Sequence, residues 1–127
     1  MTASPESIVR DFCGAWPRRD LEELMRFFAA DAVYHNVPVA PCVGVAAIRE
    51  TFAVFLATMP GIVLDVVELV ANGPLVMAER VDRFVMPNGH RFDLPVTGVF
   101  EVRDGKIVAF RDYFDLATFE RGSGLKL

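Results

Sequence analysis

The sequence predicts an α+β fold in which a strongly curved mixed β-sheet forms a cone closed by N-terminal helices. Helical patterns fill the first half of the chain, and β-type segments joined by tight turn signals fill the second half. Hydrophobic residues make up 53% of the 127 residues, and 11 phenylalanines stand against one tryptophan and two tyrosines. So apolar a chain of one-domain size suggests an internal cavity or a buried oligomer face. We therefore interpret residues 1–127 as one domain with helices on the concave side of its sheet.

Two helices are expected near the start of the chain. Ser4-Pro5 is a typical helix start, with serine as the N-cap and proline at the first helical position, and Pro17 ends this helix. Asp20 and Glu23 form a start that resembles a capping box. The apolar residues that follow predict a second helix that includes Phe28.

Strands and one further helix account for the rest of the chain. A short strand is predicted over Ala32–Val37, and a third helix follows over Val45–Thr58. After Pro60-Gly61, turn signals separate four predicted strands, which are Ile62–Ala71, Leu75–Met86, Arg91–Arg103 and Lys106–Phe114. Asp115 is expected to cap a short terminal helix that begins near Leu116.

Composition narrows the classes of function. The net charge is −4 and the chain has no run of lysine or arginine, so a nucleic-acid partner is not expected. We expect no membrane span and no signal peptide, because Ile62–Val70 is broken by acidic residues and the start lacks a basic segment. Cys13 and Cys42 lack metal or redox spacing. The expectation is a cytoplasmic protein with reduced thiols.

Two acidic stretches, Glu79-Arg80-Val81-Asp82 and Arg111-Asp112-Tyr113-Phe114-Asp115, fall on predicted strands. Side chains two apart on a strand share a face, so Arg80 and Asp82 point the same way. Asp112 shares its face with apolar neighbours, where an unpaired charge is strongly disfavoured. The forked guanidinium of Arg80 is able to bridge two carboxylates. We therefore expect an Asp82–Arg80–Asp112 cluster at the floor of an apolar cavity.

The residues alone leave two interpretations of this cluster open. Buried clusters of this kind serve as structural ion-pair networks. They also supply two unequal carboxylates, one to deprotonate water and one to protonate a leaving oxygen. Tyr34 and Asn36 share one face of the first predicted strand, where a phenol and an amide suit a bound water molecule. The alternative for this pair is a strand end with polar groups in solvent.

Other site types are disfavoured by the residues. His35 and His90 are the only histidines, and two distant histidines do not supply the ligand spacing of a metal site. Serine occurs only near the termini, which argues against a Ser-His-Asp triad. Gly122-Ser123-Gly124 lies in the tail, so it does not form a phosphate-binding loop before a helix.

With these residues in place, the chain resembles the limonene-1,2-epoxide hydrolase family over nearly its whole length. The most specific matching pieces are Tyr34-His35-Asn36-Val37-Pro38, Glu79-Arg80-Val81-Asp82, Gly98-Val99-Phe100 and Arg111-Asp112-Tyr113-Phe114-Asp115-Leu116. The resemblance implies a cone of the nuclear-transport-factor-2-like type, usually a homodimer, with no metal or organic cofactor.

Catalytic roles follow from the resemblance, position by position. It implies that Asp112 is the general base and that Tyr34 and Asn36 hold the attacking water beside it. It further implies that Asp82 protonates the epoxide oxygen and that Arg80 bridges the two carboxylates. The implied reaction is a one-step hydrolysis of an apolar epoxide to a vicinal diol, without a covalent enzyme ester.

We expect the cavity to be lined by Trp16, Met25, Phe52, Phe55, Phe84, Leu94, Val96, Phe110, Phe114 and Phe119. Among these, the expected substrate-binding residues are Trp16, Met25, Phe52, Phe84, Leu94, Val96 and Phe119. Trp16 and Phe84 are bulkier than the aliphatic lining that the resemblance suggests.

Two rival functions share the predicted fold. One is a ketosteroid-isomerase-like or polyketide-cyclase-like enzyme, which needs one base and an oxyanion donor and has no evident use for an arginine between two carboxylates. The other is a non-catalytic ligand-binding or dimerisation module, because cones of this type host many functions.

Overall fold

A computed structural model describes residues 3–127 as a curved, open sheet of six strands with helices on its concave side. The predicted α+β architecture is confirmed. A short 3-10 helix spans Trp16–Arg18. The α-helices are α1 (Pro5–Ala15), α2 (Leu21–Met25), α3 (Val45–Thr58) and α4 (Leu116–Ser123). The strands are β1 (Phe28–Asn36), β2 (Cys42–Val43), β3 (Gly61–Asn72), β4 (Leu75–Val85), β5 (Arg91–Arg103) and β6 (Lys106–Tyr113).

The sheet is mixed because one pair of its neighbours is parallel. The strand order is β2-β1-β6-β5-β4-β3, and β1 pairs with β6 in parallel while the other neighbours are antiparallel. Register shifts interrupt the β3–β4, β5–β6 and β1–β6 pairings. Such irregularities bend strands and increase their twist, which gives the sheet its concave face.

Side-chain caps fix the helix starts that the sequence indicates. The Ser4 hydroxyl accepts a hydrogen bond from the Ser7 N–H at 3.1 Å, at the start of α1. Asp20 caps α2 by accepting from the Glu23 N–H at 3.2 Å. Asp115 caps α4 in the same way, through the Thr118 N–H at 3.0 Å. Each cap satisfies a backbone donor that the first helical turn leaves without a partner.

The second helix is shorter than predicted, and the first strand is longer. The expectation that Phe28 belongs to α2 is wrong, because α2 ends at Met25 and Phe28 begins β1. The Phe27 carbonyl accepts a hydrogen bond from the Ile107 N–H at 2.8 Å, and Phe28 is in register with Ile107. Pairing with β6 therefore draws this segment into the sheet, against its local helical pattern.

Aromatic side chains fill the space between the helices and the sheet. Phe12 of α1 is fully buried, with ring centroids within 6.2 Å at Trp16, Phe27, Phe28, Phe52, Phe100 and Phe110. Truncating such a ring to alanine typically costs about 3–5 kcal/mol. This cluster holds α1 and α3 against the concave face and so supports one side of the candidate site.

Two further observations concern the described residues. Within residues 3–127, no helix is long and apolar enough to cross a membrane. Cys13 and Cys42 are free cysteines.

Candidate active site

Arg80 lies buried between two carboxylates, with 1% of its surface exposed. Its Nε and Nη2 donate to the two oxygens of Asp82 at 3.0 and 2.8 Å. Its Nη1 and Nη2 donate to the two oxygens of Asp112 at 2.8 and 2.9 Å. A single guanidinium thus binds both carboxylates. It also lies 5.8 Å above the centre of the Phe110 ring. Paired hydrogen bonds of this kind fix orientation as well as charge.

Strand register explains how residues on β4 and β6 meet. Arg80 and Asp82 lie two apart on β4 and share its concave face. Asp112 lies on β6, with β5 between, and its partner on β5 is Gly98. A Cβ at Gly98 would lie only 2.8 Å from Asp112 Oδ1 and would collide with Arg80 Nη1. The absence of a side chain at Gly98 therefore opens the path by which Arg80 reaches Asp112.

Tyr34 and Asn36 stand beside Asp112 because β1 and β6 are parallel. Asn36 is in register with Asp112, and Tyr34 is in register with Phe110. The Tyr34 hydroxyl donates a hydrogen bond to Asn36 Oδ1 at 2.9 Å. This bond leaves the amide N–H groups of Asn36 and the phenol oxygen of Tyr34 available to a small polar molecule next to Asp112.

Burial and charge act in opposite directions on the ionisable groups of the cluster. Burial raises the pKa of Asp112, and the positive charge of Arg80 only partly offsets this rise. Burial alone would lower the pKa of Arg80, but Asp112 and Asp82 hold it well above its ordinary value. Burial also raises the pKa of Tyr34 well above its ordinary value. Arg80 is therefore a permanent cation, Tyr34 a neutral phenol, and Asp112 a stronger base than an exposed aspartate.

The five polar residues form the floor of one apolar cavity. Its wall comprises Trp16, Phe55, Met59, Ile62, Leu64, Phe84, Leu94, Val96, Phe110, Phe114, Phe119 and Leu127. The cavity therefore brings together all five residues predicted to be catalytic and five of the seven predicted to bind substrate. An apolar enclosure with a few converging polar groups is typical of a small-molecule site.

Two residues predicted to bind substrate lie elsewhere. Phe52 is fully buried behind the cavity wall, with its ring 4.9 Å from that of Trp16 and 5.3 Å from that of Tyr34. Met25 ends α2 and belongs to the core beneath the helices. Both were expected in the wall because apolar periodicity marks a buried face, and it does not separate core residues from cavity residues.

Several wall residues and the role of Gly98 were missed from the sequence. Ile62 and Leu64 lie on the concave face of β3, and their register partners on β4 are Phe84 and Asp82. Their alternation on the predicted strand was the available signal. Met59 continues the apolar spacing of α3 just after its end, and that spacing does not distinguish the cavity wall from the core. Leu127 lies beyond α4 and carries no periodic signal. Gly98 lies in one of the motifs that carry the family resemblance. Its role in letting Arg80 reach Asp112 depends on the register of three strands.

No group of three or more histidine, cysteine or acidic side chains within residues 3–127 is arranged to hold a metal ion. Burial raises the pKa of the Cys13 thiol to about 12. Cys13 therefore stays protonated and does not act as a nucleophile at neutral pH.

The chain is similar to known proteins in sequence and in fold. A family model described as a SnoaL-like domain matches residues 9–110. Epoxide hydrolase EphG of Mycobacterium tuberculosis is 33% identical over 119 residues, covering 90% of this chain and 75% of that protein. The structure of an M. tuberculosis LEH-like epoxide hydrolase superposes with a TM-score of 0.81 at 28% identity, covering 92% of this chain and 86% of that one.

Similar structures also include proteins with other descriptions. A protein with a ketosteroid-isomerase-like fold from Catenulispora acidiphila, in complex with trimethylamine, superposes with a TM-score of 0.83 at 25% identity, covering 97% of this chain and 95% of that one. Proteins with different descriptions therefore share this fold, and the fold by itself does not indicate the reaction. From the match over residues 9–110 and the identity to EphG, the chain belongs to the SnoaL-like domain family and, within it, to the limonene-1,2-epoxide-hydrolase-like proteins.

Proposed function

We propose that the protein is a cofactor-independent epoxide hydrolase that adds water to an apolar epoxide and releases a vicinal diol. The observation that carries the proposal is the pair of buried carboxylates held by Arg80 at the floor of an apolar cavity. Opening an epoxide needs a nucleophile at carbon and a proton at the leaving oxygen in the same step. Two carboxylates with different protonation states supply both.

The proposed roles divide between the two sides of the floor. Asp112 removes a proton from a water molecule held by Tyr34 and Asn36, its neighbours across the parallel strand pair. That water attacks one epoxide carbon, and the carbon–oxygen bond on that side breaks. Asp82 delivers its proton to the departing oxygen, so the product is a diol. Asp112 then holds the proton taken from water, and one proton returns from Asp112 to Asp82 before the next turnover.

Charge balance in the cavity favours these different protonation states. With both carboxylates ionised, the cluster with Arg80 carries one net negative charge in a site that is largely withdrawn from water. One bound proton makes the cluster neutral, and a buried uncompensated charge is costly. The proposed acid role of Asp82 requires this proton to lie on Asp82 when the epoxide binds. Burial raises the pKa of Asp112, which makes Asp112 the better acceptor for the proton of water.

The isomerase or cyclase alternative uses the same cavity differently. Such proton transfers need one base and one oxyanion donor. Here every guanidinium nitrogen of Arg80 donates to a carboxylate, so Arg80 is occupied and is not directed at a substrate oxygen. This arrangement favours hydrolysis over the alternative.

Diol formation from a small epoxide panel tests the proposal. Limonene oxide, cyclohexene oxide and styrene oxide are incubated with the protein without added metal or cofactor. We expect turnover that falls about 100- to 10,000-fold in Asp112→Asn and in Asp82→Asn. Arg83→Gln, on the opposite face of β4, is the matched control and should retain activity. A folded protein that is silent on the whole panel would favour the isomerase or cyclase alternative.

Isotope labelling tests the absence of a covalent intermediate. A single turnover in heavy-oxygen water should place the label in the diol and none in the protein. Label recovered in a carboxylate of the digested protein would show that an enzyme ester forms, and would overturn the one-step scheme.

We also propose that the protein is a homodimer that uses the outer face of its sheet. A groove crosses this face and is lined by Val67, Glu79, Val81, Pro95, Thr97 and Tyr113. Val70 and Met77, which are register partners on β3 and β4, add exposed apolar surface on the same side. Contiguous apolar patches on a sheet face are typical of association surfaces.

A further inference from the structure

Trp16 carries a buried hydrogen-bond donor that has no acceptor. Only 4% of the residue is exposed, and within residues 3–127 its indole Nε1 is the single buried side-chain nitrogen or oxygen without a hydrogen-bond partner. Leaving such a donor unpaired costs about 1–3 kcal/mol. A phenylalanine would provide an aromatic wall at this position without that cost.

The surrounding contacts hold the indole in place. Trp16 begins the 3-10 helix, and its carbonyl accepts a hydrogen bond from the Arg19 N–H at 3.0 Å. The Arg19 guanidinium donates to the carbonyl of Met59, at 2.8 Å, and to the carbonyl of Leu56. The Trp16 ring packs edge-to-face on Phe52. These contacts tie the 3-10 helix to the end of α3 and keep the ring from turning outwards.

The acceptor is not supplied by the other residues of the cavity. Trp16 forms part of the same wall as Phe55, Met59 and Ile62, whose side chains contain no oxygen or nitrogen acceptor. The polar residues of the floor are hydrogen-bonded among themselves, and none accepts from Nε1. An isolated water is a poor solution here, because buried waters typically need two to four polar partners. Two partners remain for the N–H: the face of the Phe52 ring, which the Trp16 ring meets edge-to-face, and a molecule that occupies the cavity.

We propose that the indole N–H of Trp16 donates a hydrogen bond to an acceptor on the substrate. This inference rests on the proposed hydrolase function and narrows its substrate class. The preferred substrates are epoxides whose apolar body carries a carbonyl or a comparable acceptor, in place of purely hydrocarbon epoxides. Trp16 is then a specificity residue. Its indole supplies a hydrogen-bond donor that an aliphatic residue in the wall would lack.

Binding of two inert ligands tests the donor without any need for turnover. Acetylcyclohexane and isopropenylcyclohexane have nearly the same shape, but only the first offers a carbonyl oxygen. We expect acetylcyclohexane to bind about three- to tenfold more tightly, which is the effect of one hydrogen bond. Because Trp16 is the only tryptophan, its fluorescence reports the contact directly. A red shift of the emission is expected with the ketone alone.

Turnover of the corresponding epoxides provides the second readout. Acetyl- and isopropenyl-substituted cyclohexene oxides, with the substituent at the same ring position, are compared by the ratio of their kcat/KM values. We expect the acetyl compound to be favoured by about three- to tenfold, and Trp16→Phe to bring the ratio close to one. Phe84→Leu is the matched control, because it changes the volume of the wall without removing a donor, and it should leave the ratio intact.

The two hypotheses fail in different ways. A tighter, red-shifted ketone complex without hydrolysis of either epoxide would overturn the proposed function and keep the Trp16 assignment. Hydrolysis of both epoxides with equal kcat/KM, or with a preference that Trp16→Phe leaves unchanged, would overturn the Trp16 assignment and keep the function. Equal affinity for the two inert ligands, or no binding of either, would also overturn it and would point to the Phe52 ring as the partner of the N–H.

Discussion

Arg80 is the residue on which the polar floor depends, because within residues 3–127 it is the only cation that contacts either buried carboxylate. Arg80→Met retains much of the side-chain volume but leaves Asp82 and Asp112 without a counter-charge. We expect a loss of about 3–5 kcal/mol in the free energy of unfolding at neutral pH. Urea unfolding measures this loss.

The pH dependence of that loss identifies its cause. The Arg80 charge lowers the pKa of Asp112, so removing it raises that pKa further. Protonation then relieves the unpaired charge, and the deficit of Arg80→Met should be smaller at about pH 5 than at about pH 8. Arg83→Met is the control on the exposed face of β4, where water screens the ion pairs with Asp65 and Asp93 and their loss should change stability little at either pH. A deficit that does not vary with pH would contradict an electrostatic role for Arg80.

Asp112 gives a second prediction at the scale of one residue. As the proposed base it works only when ionised, and burial raises its pKa above the ordinary value of 3.8. We therefore expect kcat/KM to fall with decreasing pH at values above 3.8, while the protein remains folded. The same shift means that ionised Asp112 costs stability, a cost that is relieved as pH falls through its raised pKa. A profile that stays flat down to the ordinary carboxyl range would remove Asp112 from the role of base.

At the scale of elements, the site depends on the register of β4, β5 and β6 at Gly98. Gly98→Ala places a methyl group 2.8 Å from Asp112 Oδ1 and into the space of Arg80 Nη1. We expect the guanidinium to be displaced and kcat to fall about 100-fold, as for catalytic groups misplaced by about 1 Å. The measurement is steady-state hydrolysis by the variant, with its fold checked by circular dichroism.

Gly14→Ala is a control for the Gly98 substitution. Gly14 lies in α1 with nothing within 4 Å of an added Cβ, so the same chemical change should leave activity intact. It should also stabilise the helix by up to about 1 kcal/mol. Normal turnover in Gly98→Ala would show that the arginine does not need the open path over β5.

The elements also show what the sequence could predict and where prediction stopped. Caps such as Asp115 and the tight turns between the strands act locally, so the sequence predicts the helix starts and the approximate ends of the strands. The faces of Arg80, Asp82 and Asp112 followed from a period of two. Phe28 was misassigned because its strand exists only through pairing with Ile107, a contact far along the chain. Gly98 was left without a role for the same reason, since register is a property of three strands together.

At the scale of the whole molecule, the concave and outer faces of the sheet differ in chemistry. The concave face buries Arg80 and Asp82, while the outer face of the same strand presents Met77, Glu79 and Arg83. Alternation thus lets β4 supply the polar floor proposed to be catalytic on one side and the proposed association surface on the other. We therefore expect association through the outer face to leave the cavity chemistry of each copy intact.

That expectation leads to a prediction on the assembly. Val67 lies in the outer groove with 55% of its surface exposed, and Val43 lies on β2 at the opposite edge with 69% exposed. Val67→Lys buries a charge if the groove meets a second copy, whereas Val43→Lys adds a charge that remains in water. Sedimentation equilibrium should give twice the mass of the chain for the wild type and for Val43→Lys, and a shift to the single-chain mass for Val67→Lys. A wild type of single-chain mass would rule out the dimer. A Val67→Lys variant that stays dimeric would rule out this face, because a stable interface of about 800 Å² per copy does not tolerate a buried unpaired charge.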